Sequence, residues 1–125
     1  MMTSRVISED GLTRTEDGFD VDIRLPWYRA LPLSTVDVPE VAIDGEKIGS
    51  DCIRLEVNGK IYTLDELRTL EDQNWFVLDS AHLRVRHEQL AAGSEHTIDV
   101  TVALRPPYIK GFVRMTHASK VLRAA

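Results

Sequence analysis

The sequence predicts an all-β fold: an antiparallel β-sandwich, immunoglobulin-like or jelly-roll-like, formed by a single domain over residues 1–125. Three observations predict it. The first is strict alternation: Phe19, Val21, Ile23 and Leu25 against Asp20, Asp22 and Arg24, and later Ile98, Val100, Val102 and Leu104 against Thr97, Asp99 and Thr101. A period of two marks strands with one dry and one wet face. The second is a pair of turn dipeptides, Asp44-Gly45 and Asn58-Gly59, each set between β-prone runs. Tight hairpin turns need positive φ, which glycine adopts without steric cost. The third is that no long segment carries a helical period.

Taken in order, Arg5–Ile7 and Leu12–Arg14 are short apolar segments around Asp10-Gly11, read as an N-terminal strand pair or pairing edge. Residues 18–25 form the first clear strand, and Pro26 ends it by fixing φ and removing a ladder donor. Residues 39–43 and 46–48 flank the Asp44-Gly45 turn, and residues 53–57 and 60–63 flank Asn58-Gly59. Thr63 to Leu67 predicts one helical turn, with Thr63 or Asp65 as its cap and Glu66 three residues after Thr63. Glu71 to Asn74 reads as a loop. Trp75–Leu78 and Leu83–His87 predict a further strand pair around Asp79-Ser80, and the strand ending at Leu104 is stopped by Pro106-Pro107. The tail from about residue 110 has three readings: an added edge strand, a short helix or a mobile end.

A chain of 125 residues buries about two thirds of its unfolded surface, so no metal or disulfide is needed to hold it together. The lone Cys52 cannot form an internal disulfide, which fits a reducing compartment. A net charge of −5 without a basic stripe argues against nucleic acid and against anionic membrane surfaces. The first ten residues hold no apolar run of signal-peptide or membrane-span length, so a cytoplasmic location is expected.

The segment Leu25 to Ser34, L-P-W-Y-R-A-L-P-L-S, is the most distinctive stretch. It places Trp27, Tyr28 and Arg29 in a loop between prolines, and these three residue types are the ones that most often anchor binding interfaces. Pro26, Trp27, Tyr28, Arg29 and Leu31 are therefore the candidate partner-binding or substrate-mouth residues. The competing reading folds the aromatics back under the core. No catalytic residue and no metal ligand is assigned. His82, His87, His96 and His117 are scattered without metal-ligand spacing, and Asp65, Glu66, Glu71 and Asp72 lie on what reads as a solvated loop. Phosphate loops and serine elbows are also missing from the sequence. A binding or accessory module follows from the residues alone.

The run D-V-D-I-R-L-P-W-Y-R-A-L-P-L-S-T-V, then V-A-I-D-G-E-K-I and D-C-I-R-L-E-V-N-G-K-I-Y-T-L-D-E-L, resembles the β subunit of bacterial C-glycoside deglycosidases. N-W-F-V-L and the glycine- and histidine-containing entry to the strand at 98–104 extend the resemblance from about Gly18 to about Ile109. Trp27 stands where the family more usually has Tyr, and Ala30 where it has Gly. The resemblance implies a non-catalytic β-sandwich subunit that stabilises and completes a TIM-barrel α subunit, in a hetero-oligomer that cleaves the carbon–carbon bond of 3-oxo-C-glycosides. It implies no cofactor in this chain, a divalent metal (manganese) in the α subunit, and substrate near the subunit interface. The alternative is a free-standing carbohydrate-binding or homo-oligomeric sandwich.

Overall fold

The structure, a computed structural model, describes residues 6–76 and 79–125. It is an antiparallel sandwich. One sheet has five strands in the order β1-β2-β9-β6-β7 and the other four in the order β11-β10-β4-β5. The five-stranded sheet is built from β1 (Ile7–Thr15), β2 (Gly18–Arg24), β6 (Ile53–Val57), β7 (Lys60–Thr63) and β9 (Ser80–Arg86). The four-stranded sheet uses β4 (Val36–Ile43), β5 (Glu46–Lys47), β10 (Glu95–Leu104) and β11 (Arg114–Arg123). A two-stranded ribbon pairs β3 (Leu31–Pro32) with β8 (Asn74–Trp75).

The alternating faces close on one another. Phe19, Val21 and Ile23 of β2, Leu55 of β6 and Leu83 of β9 meet Ile98, Val100, Val102 and Leu104 of β10 in one continuous core. Each such side chain contributes about 1.5–3 kcal/mol by leaving water. Trp75 is the largest fully buried side chain, and its indole N–H donates to the Asp79 carbonyl at 3.0 Å.

Both hairpin turns form at the dipeptides that predicted them. Asp44 and Gly45 take φ of 50° and 85°, and Asn58 and Gly59 take 56° and 76°, so both central residues are left-handed as the tight turn requires. Pro39 lies inside β4, where it can give no ladder hydrogen bond. The β4–β10 register shifts there: Glu40 faces Thr101 and Asp37 faces Ala103, leaving Val38 and Pro39 opposite Val102. A bulge absorbs the missing donor. At the predicted helical turn, Asp65–Thr69 is a 3₁₀ helix. The Thr63 hydroxyl accepts from the Glu66 N–H at 3.2 Å, and the Glu66 carboxylate accepts from the Thr63 N–H at 2.8 Å. That is a reciprocal capping box, and the Thr63 amide donor holds the Glu66 carboxyl below its usual range.

One expectation narrows and one is corrected. Of the two readings of the N-terminal segment the pairing edge holds and the strand pair does not: Ile7–Thr15 is one strand at the edge of the five-stranded sheet, its register on β2 shifting between Ile7 and Leu12, with Asp10 at φ 54°. Asp10-Gly11 makes a bulge there and not a hairpin turn, and Arg5 lies outside the described residues. Nor does the segment beginning at Trp75 form a hairpin with 83–87. Asn74 and Trp75 pair with Pro32 and Leu31, while β9 inserts between β2 and β6. Val77 and Leu78 lie outside the described residues.

Residues 114–123 form β11, antiparallel to β10 at the sheet edge. Beyond it, the Ala125 N–H donates to Leu12 O at 3.1 Å and the Arg14 N–H donates to Ala125 O at 2.9 Å. The backbone there fastens one edge of the five-stranded sheet to the four-stranded one. Among the described residues no helix is long and apolar enough to cross a membrane.

Candidate functional site: an aromatic patch at one end of the sandwich

Two strands, one from each sheet, end on proline followed by aromatics at the same end of the molecule. β2 runs into Leu25-Pro26-Trp27-Tyr28, and β10 runs through Arg105 into Pro106-Pro107-Tyr108. The two loops are joined side chain to side chain. The Trp27 indole N–H donates to the Tyr108 hydroxyl, and that hydroxyl donates in turn to the Tyr28 hydroxyl at 3.3 Å. The Trp27 ring lies 5.1 Å from Tyr28 and 6.2 Å from Phe112, centroid to centroid. The Arg29 guanidinium sits 5.0 Å from the centre of the Tyr108 ring, a cation–π placement. The hydrogen bond from Tyr108, helped by some desolvation, raises the Tyr28 phenol above its ordinary value. The Tyr28 hydroxyl therefore stays protonated at neutral pH.

The support beneath the cluster is part backbone and part side chain. The Thr35 hydroxyl donates to Pro32 O at 2.7 Å, the Arg105 N–H donates to Thr35 O at 2.9 Å, and the Arg105 guanidinium pairs with the Asp37 carboxylate. The 105–113 loop is turned by amide bonds from Ile109 to Pro106 O at 3.1 Å and from Phe112 to Ile109 O at 3.4 Å.

The structure divides the five sequence candidates. Pro26, Trp27 and Leu31 are buried, Trp27 at 9% exposure, whereas Tyr28 is 63% exposed and Arg29 is exposed as well. Trp27 packs inward to set the loop, whereas Tyr28 and Arg29 face water, where a partner could reach them. Leu31 pairs with Trp75 in the ribbon and presents no surface. Ala30 does not take a positive φ, so the position makes no demand for glycine.

Sequence reasoning missed the other half of the patch. Tyr108, Ile109, Phe112, Val113 and Met115 are all substantially exposed, and Tyr108 reaches across to Trp27. Phe76 is also exposed, on the connection into β9, whose first residue Ser80 is the partner of Arg24 at the end of β2. A signal was available in the repetition of strand, proline and aromatic at both 24–28 and 105–108. Of the exposed side chains, Tyr108 and Phe112 join the Trp27–Tyr28 cluster directly, and contiguous exposed apolar surface is the usual feature of interaction sites.

The histidines are all engaged by carboxylates: His82 with Glu56 at 3.6 Å, His87 with Glu46 at 3.3 Å, His96 with Asp44 at 2.7 Å and His117 with Asp99 at 3.2 Å. His96 also meets the Ser94 hydroxyl at 2.7 Å, while that hydroxyl bonds the Ala91 carbonyl. The Asp44 carboxyl is held below its ordinary range by His96 first and by the Thr97 N–H second. These contacts tie the 44–45 turn to the start of β10. Among the described residues, no group of three or more His, Cys, Asp or Glu side chains is arranged to hold a metal ion.

Fold and surface together define the class: a small all-β sandwich with an exposed aromatic cluster at one end. Comparison with known proteins gives the family. The sequence model described as C-glycoside deglycosidase beta subunit matches residues 2–108. The chain is 40% identical over 109 residues, 87% of its own length and 82% of the relative's, to the 3'-dehydrocarminate deglycosidase beta subunit of Microbacterium sp. It is 40% identical over the same length and shares to the C-glycoside deglycosidase beta subunit of Microbacterium trichothecenolyticum. A C-glycoside deglycosidase beta subunit of Arthrobacter globiformis is 32% identical over 112 residues, 88% of this chain and 85% of that one. The chain belongs to the C-glycoside deglycosidase beta subunit family.

Proposed function

We propose that this chain is the non-catalytic β subunit of a cytoplasmic C-glycoside deglycosidase, a carbon–carbon lyase acting on 3-oxo-C-glycosides, and that it docks on its α subunit through the Tyr28–Tyr108 patch. Family membership supports the subunit role. The observation that carries the docking surface is the exposed, preorganised cluster of Tyr28, Arg29, Tyr108 and Phe112 at one end of the sandwich. Aromatic and arginine side chains held in place before contact lose little rotamer freedom on binding. The α subunit, a TIM barrel in this proposal, holds the divalent metal, manganese, and the catalytic groups. A ketone at C3 acidifies the hydrogen on C2, so a base beside a metal there can drive elimination of the aromatic aglycone. The β subunit stabilises and completes that site, with the C-glycoside bound near the subunit interface.

Co-expression with the α subunit tests the proposal. The wild-type chain is expected to co-purify with it, and the Tyr28→Ala, Arg29→Ala double variant to raise the dissociation constant at least tenfold while its own melting temperature is unchanged. Unaltered assembly and unaltered turnover of a 3-oxo-C-glucoside in the double variant would refute the docking assignment. If the isolated chain instead bound C-glucosides unaided, with a change in tryptophan fluorescence, a free-standing carbohydrate-binding role would replace it.

A further inference from the structure

Away from the aromatic end, the outer face of the five-stranded sheet carries a concavity lined by Cys52, Arg54, Ile61, Arg84 and Arg86, with Asp17 and Asp20 at its side. The strand register explains the hollow. Gly18 is the partner of Arg86, so the β2 side of Arg86 has no side chain to fill the space. On the β6 side the pairing of Ile53 with Val85 brings Cys52, a small residue, alongside Arg86.

The register also concentrates positive charge. Arg54 and Arg84 are directly opposed on β6 and β9, and Arg86 follows Arg84 on the same face. Like charges placed directly opposite one another destabilise a sheet. Arg84 is ion-paired, 3.0 Å from Glu56 and 3.8 Å from Asp20, and Arg54 is near enough to the Glu66 carboxylate to help hold its pKa down. Arg54 spends one guanidinium nitrogen on the carbonyls of Asp51 and Ile53, both at 3.1 Å, and has no hydrogen-bonded carboxylate. The Arg86 guanidinium makes no hydrogen bond or ion pair within the described residues, its backbone being paired with Gly18 in the ladder. The Nε of Arg84 is buried without a partner. On a chain of net charge −5 the hollow thus gathers three guanidinium groups beside Asp17 and Asp20, and the Arg86 side chain is the one without a hydrogen bond or ion pair among the described residues.

We infer that this concavity binds a small organic carboxylate, its anionic group held by Arg54 and Arg86 and its apolar body resting on Ile61. Guanidinium groups present paired N–H donors that match a carboxylate in a bidentate fashion. Ile61 is 54% exposed although it lies among charged neighbours, and it supplies the apolar wall such a ligand needs. The hollow is open and shallow, which suits a weak site for a small acid and not an enclosed cofactor pocket.

The test is a titration of the full chain with benzoate at constant ionic strength, followed by NMR of backbone amides and arginine side chains. Benzamide, the neutral analogue of the same shape, is the control. Saturable shifts confined to residues 52–54, 61 and 84–86, absent with benzamide and weakened at least fivefold in the Arg54→Gln, Arg86→Gln variant, support the site. Shifts scattered over the surface, equal shifts with benzamide, or undiminished benzoate binding in the variant overturn it. Should the variant fail to fold, the wild-type shift map and the benzamide control still decide the outcome.

Discussion

Replacing Tyr108 by Phe removes one oxygen and leaves the ring, and the structure makes a specific statement about that oxygen. It accepts the Trp27 indole N–H across the gap between the loops that follow β2 and β10. Trp27 is only 9% exposed, so the orphaned N–H would have little access to water. A buried donor left without a partner costs about 1–3 kcal/mol, and the partial exposure places this case in the lower half of that range. A loss of about 1–2 kcal/mol corresponds to a fall in Tm of roughly 3–8 °C for a domain of this size. The Arg29–Tyr108 ring contact survives the substitution, but the hydroxyl's bond to the exposed Tyr28 is lost along with the one from Trp27, so only a cycle with Trp27 isolates the latter. The assay is urea unfolding of wild type, Tyr108→Phe, Trp27→Phe and the double variant as a thermodynamic cycle. Residues sharing a bond are expected to show non-additivity of about 0.5 kcal/mol or more. An unchanged midpoint for Tyr108→Phe, or a cycle additive within about 0.3 kcal/mol, would show that the two loops are not fastened by this bond.

Two further outcomes follow from the scaffold. Gly18→Ala is expected to prevent folding or to lower Tm by more than 10 °C, because a Cβ at φ 151° would lie 2.2 Å from the Val85 carbonyl oxygen and 2.5 Å from the His87 nitrogen; circular dichroism on heating checks this, and a near-wild-type melt would refute the β2–β9 register. For His87, partial burial pulls the pKa down, but the Glu88 carbonyl and the Glu46 carboxylate outweigh it and the net shift is upward. A folded value above the unfolded one near 6.5 means the stabilisation is fully present below about pH 6.5 and is lost as pH rises through the folded value. The Tm difference between wild type and His87→Gln should therefore shrink from pH 5.5 to pH 8.5, and a difference constant with pH would rule the contact out as its source.

What could be read from the sequence was whatever depended on local chemistry. The alternating runs at 18–25 and 98–104 become β2 and β10 because a period of two leaves only one face to bury. The Asp-Gly and Asn-Gly turns form because their backbone conformation is written into the dipeptide. Asp10-Gly11 carried the same local signal and instead made a bulge, because β2 pairs on both sides of it and holds the strand straight. Trp75 misled for a related reason. Its strand propensity is real, but its partner is the short β3 formed by Leu31 and Pro32, a pairing decided by tertiary contacts more than forty residues apart in sequence. The loop at 25–34 stood out in the sequence, yet the segment at 105–113 that joins it did not, since Tyr108 meets Trp27 only when the two sheets pack.

That last point bears on why a sandwich carries this patch. Trp27 follows a strand of one sheet and Tyr108 follows a strand of the other, so the cluster forms only if the two sheets pack in the right relation. Neither loop could hold Tyr28 and Arg29 in place alone: one supplies the indole donor, the other the hydroxyl and the ring beneath the guanidinium. The surface is thus conditional on the correctly folded domain, and a misfolded chain would present only scattered aromatics. If the patch is the docking surface proposed above, such a condition would couple recognition to folding. A partner that reads Tyr28, Arg29 and Tyr108 together would select folded chains and discriminate against unfolded ones, with the Trp27–Tyr108 bond as the point where the two requirements meet.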